Sequence, residues 1–157
     1  MDQAARKLKK SGMILFFFGL ITGFLMMNLK NPRMGLAAHL EAVMNGAFLV
    51  IVGLIWNELK LSQQMRKLTY LTLNYGAFMN WFITLLAAFL GTSKMTPITG
   101  LGYSSTIFRE NLVNAGFISV GLTMIFSLIV LIYGLRNSTI RLTTVSHLNP
   151  VPKVGAL

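Results

Sequence analysis

Two stretches of this chain, Gly12 to Leu29 and Leu68 to Leu90, carry no charged residue at all. Two more, Gly35 to Leu59 and 108–136, are nearly as apolar. Each approaches or exceeds the ~20 residues a helix needs to cross the hydrocarbon layer of a bilayer. Four such segments in 157 residues leave little chain for a soluble domain, and a mean hydropathy of +0.65 agrees. The predicted fold class is an all-α integral membrane protein, a four-transmembrane-helix bundle. It has a basic tail over 1–11, spans near 12–29, 35–59, 68–90 and 108–136, and a polar tail over 137–157.

A formal net charge of +10 suggests nucleic acid at first sight. The basic residues, however, sit at the ends of the apolar segments and not on a separate basic domain, so nucleic acid is not expected as a partner. Ten Lys and Arg lie in the N-terminal tail, the second connector and the C-terminal tail. Only Lys30, Arg33, Lys94 and Arg109 lie on the other side. That asymmetry predicts both termini in the cytoplasm. No cleavage site convincingly follows the first apolar run, which therefore reads as a retained helix.

Asn31-Pro32 predicts a tight turn with Pro32 at the next helix start. Gly91-Thr92-Ser93 ends the third span. The connection from Lys94 to Ile107 reads as an ordered loop or lid, with Ser104 or Ser105 as the cap of the fourth helix.

The second span opens with His39, Glu41 and Asn45, three polar side chains in an apolar helix, where such groups are costly. At about 100° per residue Glu41 and Asn45 share a face, while His39 lies about 120–160° away from both. They do not form one compact triad within a single chain. Small and polar residues recur every fourth position in three spans: Ala38, Ala42 and Gly46; Thr72, Gly76, Asn80, Thr84 and Ala88; Asn111, Ala115, Ser119, Thr123 and Ser127. Such ridges face other helices. Asn45, Asn80, Asn111 and Asn114 each carry two donors and two lone pairs that need partners in a dry medium.

The chain has no Cys and only two His. This excludes disulfides, thiolate ligands and cysteine nucleophiles. There is no Ser/His/Asp set, P-loop or dinucleotide motif. His39 is either an axial haem ligand, with Ala42 and Gly46 leaving room for the macrocycle, or a hydrogen-bonded histidine at a helix end. Glu41 is either paired with a cation such as Arg109 or Arg33, or a proton-transfer group. Arg109-Glu110 is either an interfacial anchor or a contact to a haem propionate. Tyr75 and Trp81 read as packing aromatics and Tyr103 as a loop anchor. The only other histidine, His147, lies in the C-terminal tail.

The run Gly35-Leu36-Ala37-Ala38-His39-Leu40-Glu41-Ala42-Val43-Met44-Asn45-Gly46-Ala47-Phe48-Leu49, with Tyr75-Gly76 and Asn80-Trp81 in the next span, resembles the four-helix hydroxylaminobenzene mutases. It is more distantly similar to the membrane styrene oxide isomerases, which share a His followed six residues later by Asn-Gly. The resemblance implies a homotrimer in the bacterial inner membrane that holds ferric haem b. His39 would be its iron ligand, and Gly46 and Arg109 would contact it. Asn45 and Asn80 would line the side where a small aromatic substrate binds, and Glu41 would move a proton. Thr84 takes the place of a tyrosine of the isomerases, which favours rearrangement of an arylhydroxylamine to a 2-aminophenol over an epoxide isomerisation. The reading of another class is a non-catalytic tetraspan subunit or transporter component whose Asn residues bind helices together.

Overall fold

A computed structural model describes residues 3–136. The C-terminal tail from 137 onward, with His147, lies outside the described residues. Within them the fold is all-helical: α1 (Gln3–Leu25), α2 (Pro32–Ile55), α3 (Gln63–Leu90) and α4 (Ile107–Leu135), with single 3-10 turns at Met26–Asn28 and Trp56–Glu58. All four helices are long and apolar enough to cross a membrane.

The helix termini follow local chemistry. Asn31 caps α2, its side chain accepting from the Met34 N–H at 3.1 Å, and Pro32 fills the first turn where its missing N–H costs nothing. Ser62 caps α3 in the same way. Gly91 ends α3 with φ 67°, a left-handed conformation that a side chain disfavours, and its N–H returns to the Ala87 carbonyl. The Lys30 ammonium donates to the Leu90 carbonyl at 3.2 Å, placing a cation on the negative end of α3. The cap of α4 is Thr106, one residue beyond the expected serines, because Thr106 is the last extended residue and its hydroxyl meets the Arg109 N–H.

The first helix begins at Gln3, well before the apolar run. Ala5 and Leu8 are buried in the core cluster that holds Trp56, so the described part of the basic N-terminal stretch is packed helix.

Helices pack in chain order, α1 on α2, α2 on α3 and α3 on α4. The α1–α2 seam is the tightest. Gly12 and Gly46 let the two backbones nearly touch: a Cβ on Gly12 would lie 2.5 Å from the Gly46 carbonyl oxygen, and one on Gly46 would lie 2.7 Å from the Phe16 nitrogen. Because backbone cannot swing aside, Gly12→Val should cost about 2 kcal/mol or more. Thermal unfolding in detergent should show this as a lower Tm than in the parent.

The ridge on α3 explains how its partners change along its length. Each step of four residues advances ~40° around the helix. Thr72 and Gly76 therefore meet Ser127 and Met124 of α4, whereas Thr84 meets Glu41 of α2. Asn80 lies between them along α3 and is half-buried. On α4 the ridge rotates inward: Asn111 and Ala115 are exposed, and Ser127 is fully buried.

The long connection is a fixed cap. Asn31 Nδ2 donates to the Thr99 carbonyl at 2.9 Å, the Thr99 hydroxyl reaches Met34 Sδ, and the Arg33 guanidinium donates to the Leu101 carbonyl and covers the Tyr103 ring. Glu110, nearly buried at 9% exposure, accepts the Ser93 and Lys94 N–H groups at 3.0 Å each. Glu110→Ala would strip two backbone donors of their acceptor at a cost of ~1–3 kcal/mol. The expected result is faster trypsin cleavage after the exposed Lys94, read by gel, with α-helical content unchanged.

Candidate active site

The three polar residues of α2 divide between two seams. His39 faces α1: its Nδ1 lies 2.8 Å from the Gly19 carbonyl oxygen, and its ring lies over Gly23, where a Cβ would come within 2.9 Å of Nδ1. A carbonyl only accepts, so Nδ1 must carry the proton. The lone pair is thereby left on Nε2, the form in which imidazole binds a metal. Nε2 makes no hydrogen bond among the described residues. The α1 glycines admit the ring, and the seam leaves it half-buried.

Glu41 faces α3. Its Oε2 accepts from the Thr84 hydroxyl at 2.6 Å, and Thr84 is 1% exposed. Neither arginine considered as its partner pairs with it: Arg33 is bound to the loop, and Arg109 is exposed on the first turn of α4. Among the described residues Glu41 makes no ion pair, and Oε1 makes no hydrogen bond.

Because α2 and α3 run antiparallel, one turn beyond Glu41 and one turn before Thr84 lead to the same depth. Asn45 and Asn80 stand there. Asn45 Nδ2 is buried without an acceptor among the described residues, and Asn80 is half-buried. From α4 comes Asn114, whose Oδ1 is buried without a donor. It precedes by two residues Gly116, which abuts Ile83 of α3, and by three Phe117, which packs on the cluster holding Met34 of α2. Buried amide atoms without partners are rare in finished packing and mark places where a ligand completes the hydrogen bonding. Sequence reasoning named all four Asn residues; Asn45, Asn80 and Asn114 are half-buried, whereas Asn111 is exposed.

Gly46 is occupied by the α1–α2 seam, and Arg109 lies beyond α3 from His39. One chain does not bring these two residues to the histidine. Trp81, next to Asn80, turns away: its Nε1 donates to the Thr22 hydroxyl at 3.0 Å and its ring stacks on Phe18. These residues border an apolar groove of about 510 Å³ between α1 and α3. The Tyr75 and Ser119 hydroxyls are hydrogen-bonded across the α3–α4 seam.

Among the described residues no three His, Cys, Asp or Glu side chains gather to hold a bare metal ion. A lone imidazole with a free Nε2 suits instead a metal that brings its other ligands with it, as a porphyrin does. By that test the residues present fit a haem.

Four long apolar helices with carboxylate, amide and imidazole groups in their seams define a small helical enzyme of a membrane-protein type. The chain belongs to the styrene oxide isomerase family, whose model matches residues 4–136. It is 41% identical over 141 residues to hydroxylaminobenzene mutase HabB of Ectopseudomonas oleovorans, covering 89% of this chain and 86% of that protein. It is 39% identical over 126 residues to hydroxylaminobenzene mutase HabA of the same organism, covering 80% and 93%. No solved structure matches the chain significantly. The resemblance read from residues 35–49 and 75–81 thus extends over most of the chain, and the protein is an isomerase of the mutase type. The non-catalytic reading falls.

Proposed function

We propose that the protein spans the bacterial inner membrane with both termini in the cytoplasm and converts arylhydroxylamines to 2-aminophenols. The observations that carry the reading are two buried amide atoms without partners, the donor Asn45 Nδ2 and the acceptor Asn114 Oδ1, together with the Glu41–Thr84 hydrogen bond. Substrate and product are isomers. The N–O bond breaks, a C–O bond forms at the ortho carbon, that carbon loses its proton, and the nitrogen gains one. No electron is gained or lost overall.

An N-hydroxyl group suits the cluster. Asn45 Nδ2 donates to the hydroxyl oxygen as charge develops on it, and Asn114 Oδ1 accepts from the substrate N–H. Asn80 holds the ring from the α3 side. Glu41 Oε1 takes the ortho proton and returns it to nitrogen, while the Thr84 hydroxyl holds Oε2 and fixes the carboxylate plane. Haem b, bound through His39 Nε2, would supply ferric Lewis acidity toward the same oxygen.

His39 and the Glu41 cluster lie on different seams of one chain, so they meet one substrate only if different copies contribute them. The exposed face of α2 between them, with Leu40, Met44 and Ile51, is the surface for that meeting, and a homotrimer closes it. Across such a boundary Arg109 of a second copy becomes available to a propionate.

The test is direct. Purified protein incubated with hydroxylaminobenzene should yield 2-aminophenol without added reductant or oxidant, while styrene oxide in parallel should give little aldehyde. The second reading, an epoxide isomerase, is favoured by the family description alone and would be established by the reverse outcome.

A further inference from the structure

The apolar groove of about 510 Å³ between α1 and α3 runs from the Phe18–Trp81 stack outward to Leu29 and Phe89. Thr22 and Trp81 bring the only polar side chains to its lining, and both are spent. The Trp81 indole donates to the Thr22 hydroxyl at 3.0 Å, and that hydroxyl donates to the Phe18 carbonyl at 2.8 Å. An occupant therefore finds no side-chain hydrogen bond along the groove. Phe82 and Phe89 are 49% and 66% exposed, so its rim lies on the outer surface of the bundle.

The outer end differs. Lys30 follows Leu29 and Leu90 follows Phe89, and the Lys30 ammonium donates to the Leu90 carbonyl at 3.2 Å. The cation thus bridges the two helical segments one residue beyond the last groove walls. Gly91 leaves room for the lysine stem, whose Cδ and Cε would lie 2.8 Å from a Cβ there. Among the described residues the ammonium makes that one hydrogen bond and has no carboxylate partner. An ammonium has three donors, so two remain, with the full charge.

Length narrows the choice of occupant. Phe18 to Leu29 spans about 16 Å at the rise of a helix, close to the ~15 Å of hydrocarbon in one leaflet. On the membrane-spanning reading Lys30 stands at the headgroup level of the non-cytoplasmic leaflet, with the groove below it at the depth of the acyl chains. We propose that the groove holds one acyl chain of a phospholipid of that leaflet, with the phosphate on Lys30. A single cation holds a phosphate best where the headgroup brings no cation of its own, so an anionic headgroup is preferred to a choline. The inference rests on membrane insertion and is independent of the reaction catalysed.

The chain has two tryptophans, so Trp56→Phe leaves Trp81, at the inner end of the groove, as the only indole reporter. The protein is reconstituted in vesicles and recovered by flotation, which checks insertion separately. Phosphatidylglycerol brominated in its acyl chains should then quench Trp81 at about fivefold lower mole fraction than brominated phosphatidylcholine. Lys30→Gln should abolish that preference, while Lys94→Gln, which removes the other exposed lysine at this end, should keep it. Equal quenching by both lipids, or a preference that survives Lys30→Gln, overturns the site. Quenching by neither lipid overturns it in favour of a second copy covering the groove. If Trp56→Phe does not fold, native mass spectrometry of the unaltered and Lys30→Gln proteins serves instead. Phosphatidylglycerol retained over phosphatidylcholine by the first and not by the second supports the site, and no difference between the two proteins overturns it.

Discussion

On the proposed reading, His39→Ala removes the Soret absorption of the purified protein and lowers 2-aminophenol formation by at least ~10²-fold. The fold should survive. His39 gives up one hydrogen bond to the Gly19 carbonyl, worth ~1 kcal/mol, and the ring lies against glycines, so no packed side chain loses its support. Tm should therefore move little while haem content collapses. The described chain offers no second imidazole, and no cluster of three metal-binding side chains stands in reserve. The hole left beside Gly23 is the size of the lost ring, so added imidazole should partly restore both absorption and turnover. A His39→Ala protein that keeps full haem content would sink the ligand assignment.

What the sequence displays well is whatever depends on neighbours along the chain. Hydrophobic runs declare the four helices, and Asn31-Pro32 and Gly91 declare turns, because capping and left-handed backbone are settled within a few residues. The separation of His39 from Glu41 follows from helix periodicity, and the structure shows each on its own seam. Partners across helices are another matter. For Glu41 the sequence offered a choice between pairing with an arginine and a proton-transfer role, and its hydrogen-bond partner is Thr84, 43 positions away. Nothing local distinguishes Thr84 from the other small residues of the α3 ridge. Only the 40° drift of that ridge carries it from α4 to α2. Arg109-Glu110 read as either an interfacial anchor or a propionate contact, and the structure has Glu110 accepting the Ser93 and Lys94 N–H groups at the start of the loop. The helical start at Gln3 was hidden because charges mask the apolar face of Ala5 and Leu8 that Trp56 covers.

Glu41→Gln is the sharper chemical test, because it changes charge and basicity while leaving shape alone. A glutamine oxygen still accepts from the Thr84 hydroxyl, so the seam should stay closed and the haem spectrum unaltered. What is lost is a base at Oε1. If that atom carries the ortho proton, kcat should fall ~10²–10⁴-fold with KM roughly unchanged, the pattern of an interaction made only in the transition state. Thr84→Val separates the carboxylate from its support. Removing the hydroxyl leaves Oε2 without its donor and lets the side chain turn, with an expected loss of ~10-fold in kcat. Hydroxylaminobenzene deuterated on the ring adds an independent readout. Proton removal slowed by Glu41→Gln should become more rate-limiting, so the isotope effect on kcat should rise in this variant above that of the parent. Full activity in Glu41→Gln would remove the carboxylate from the reaction and leave it as a hydrogen-bonded clasp between α2 and α3.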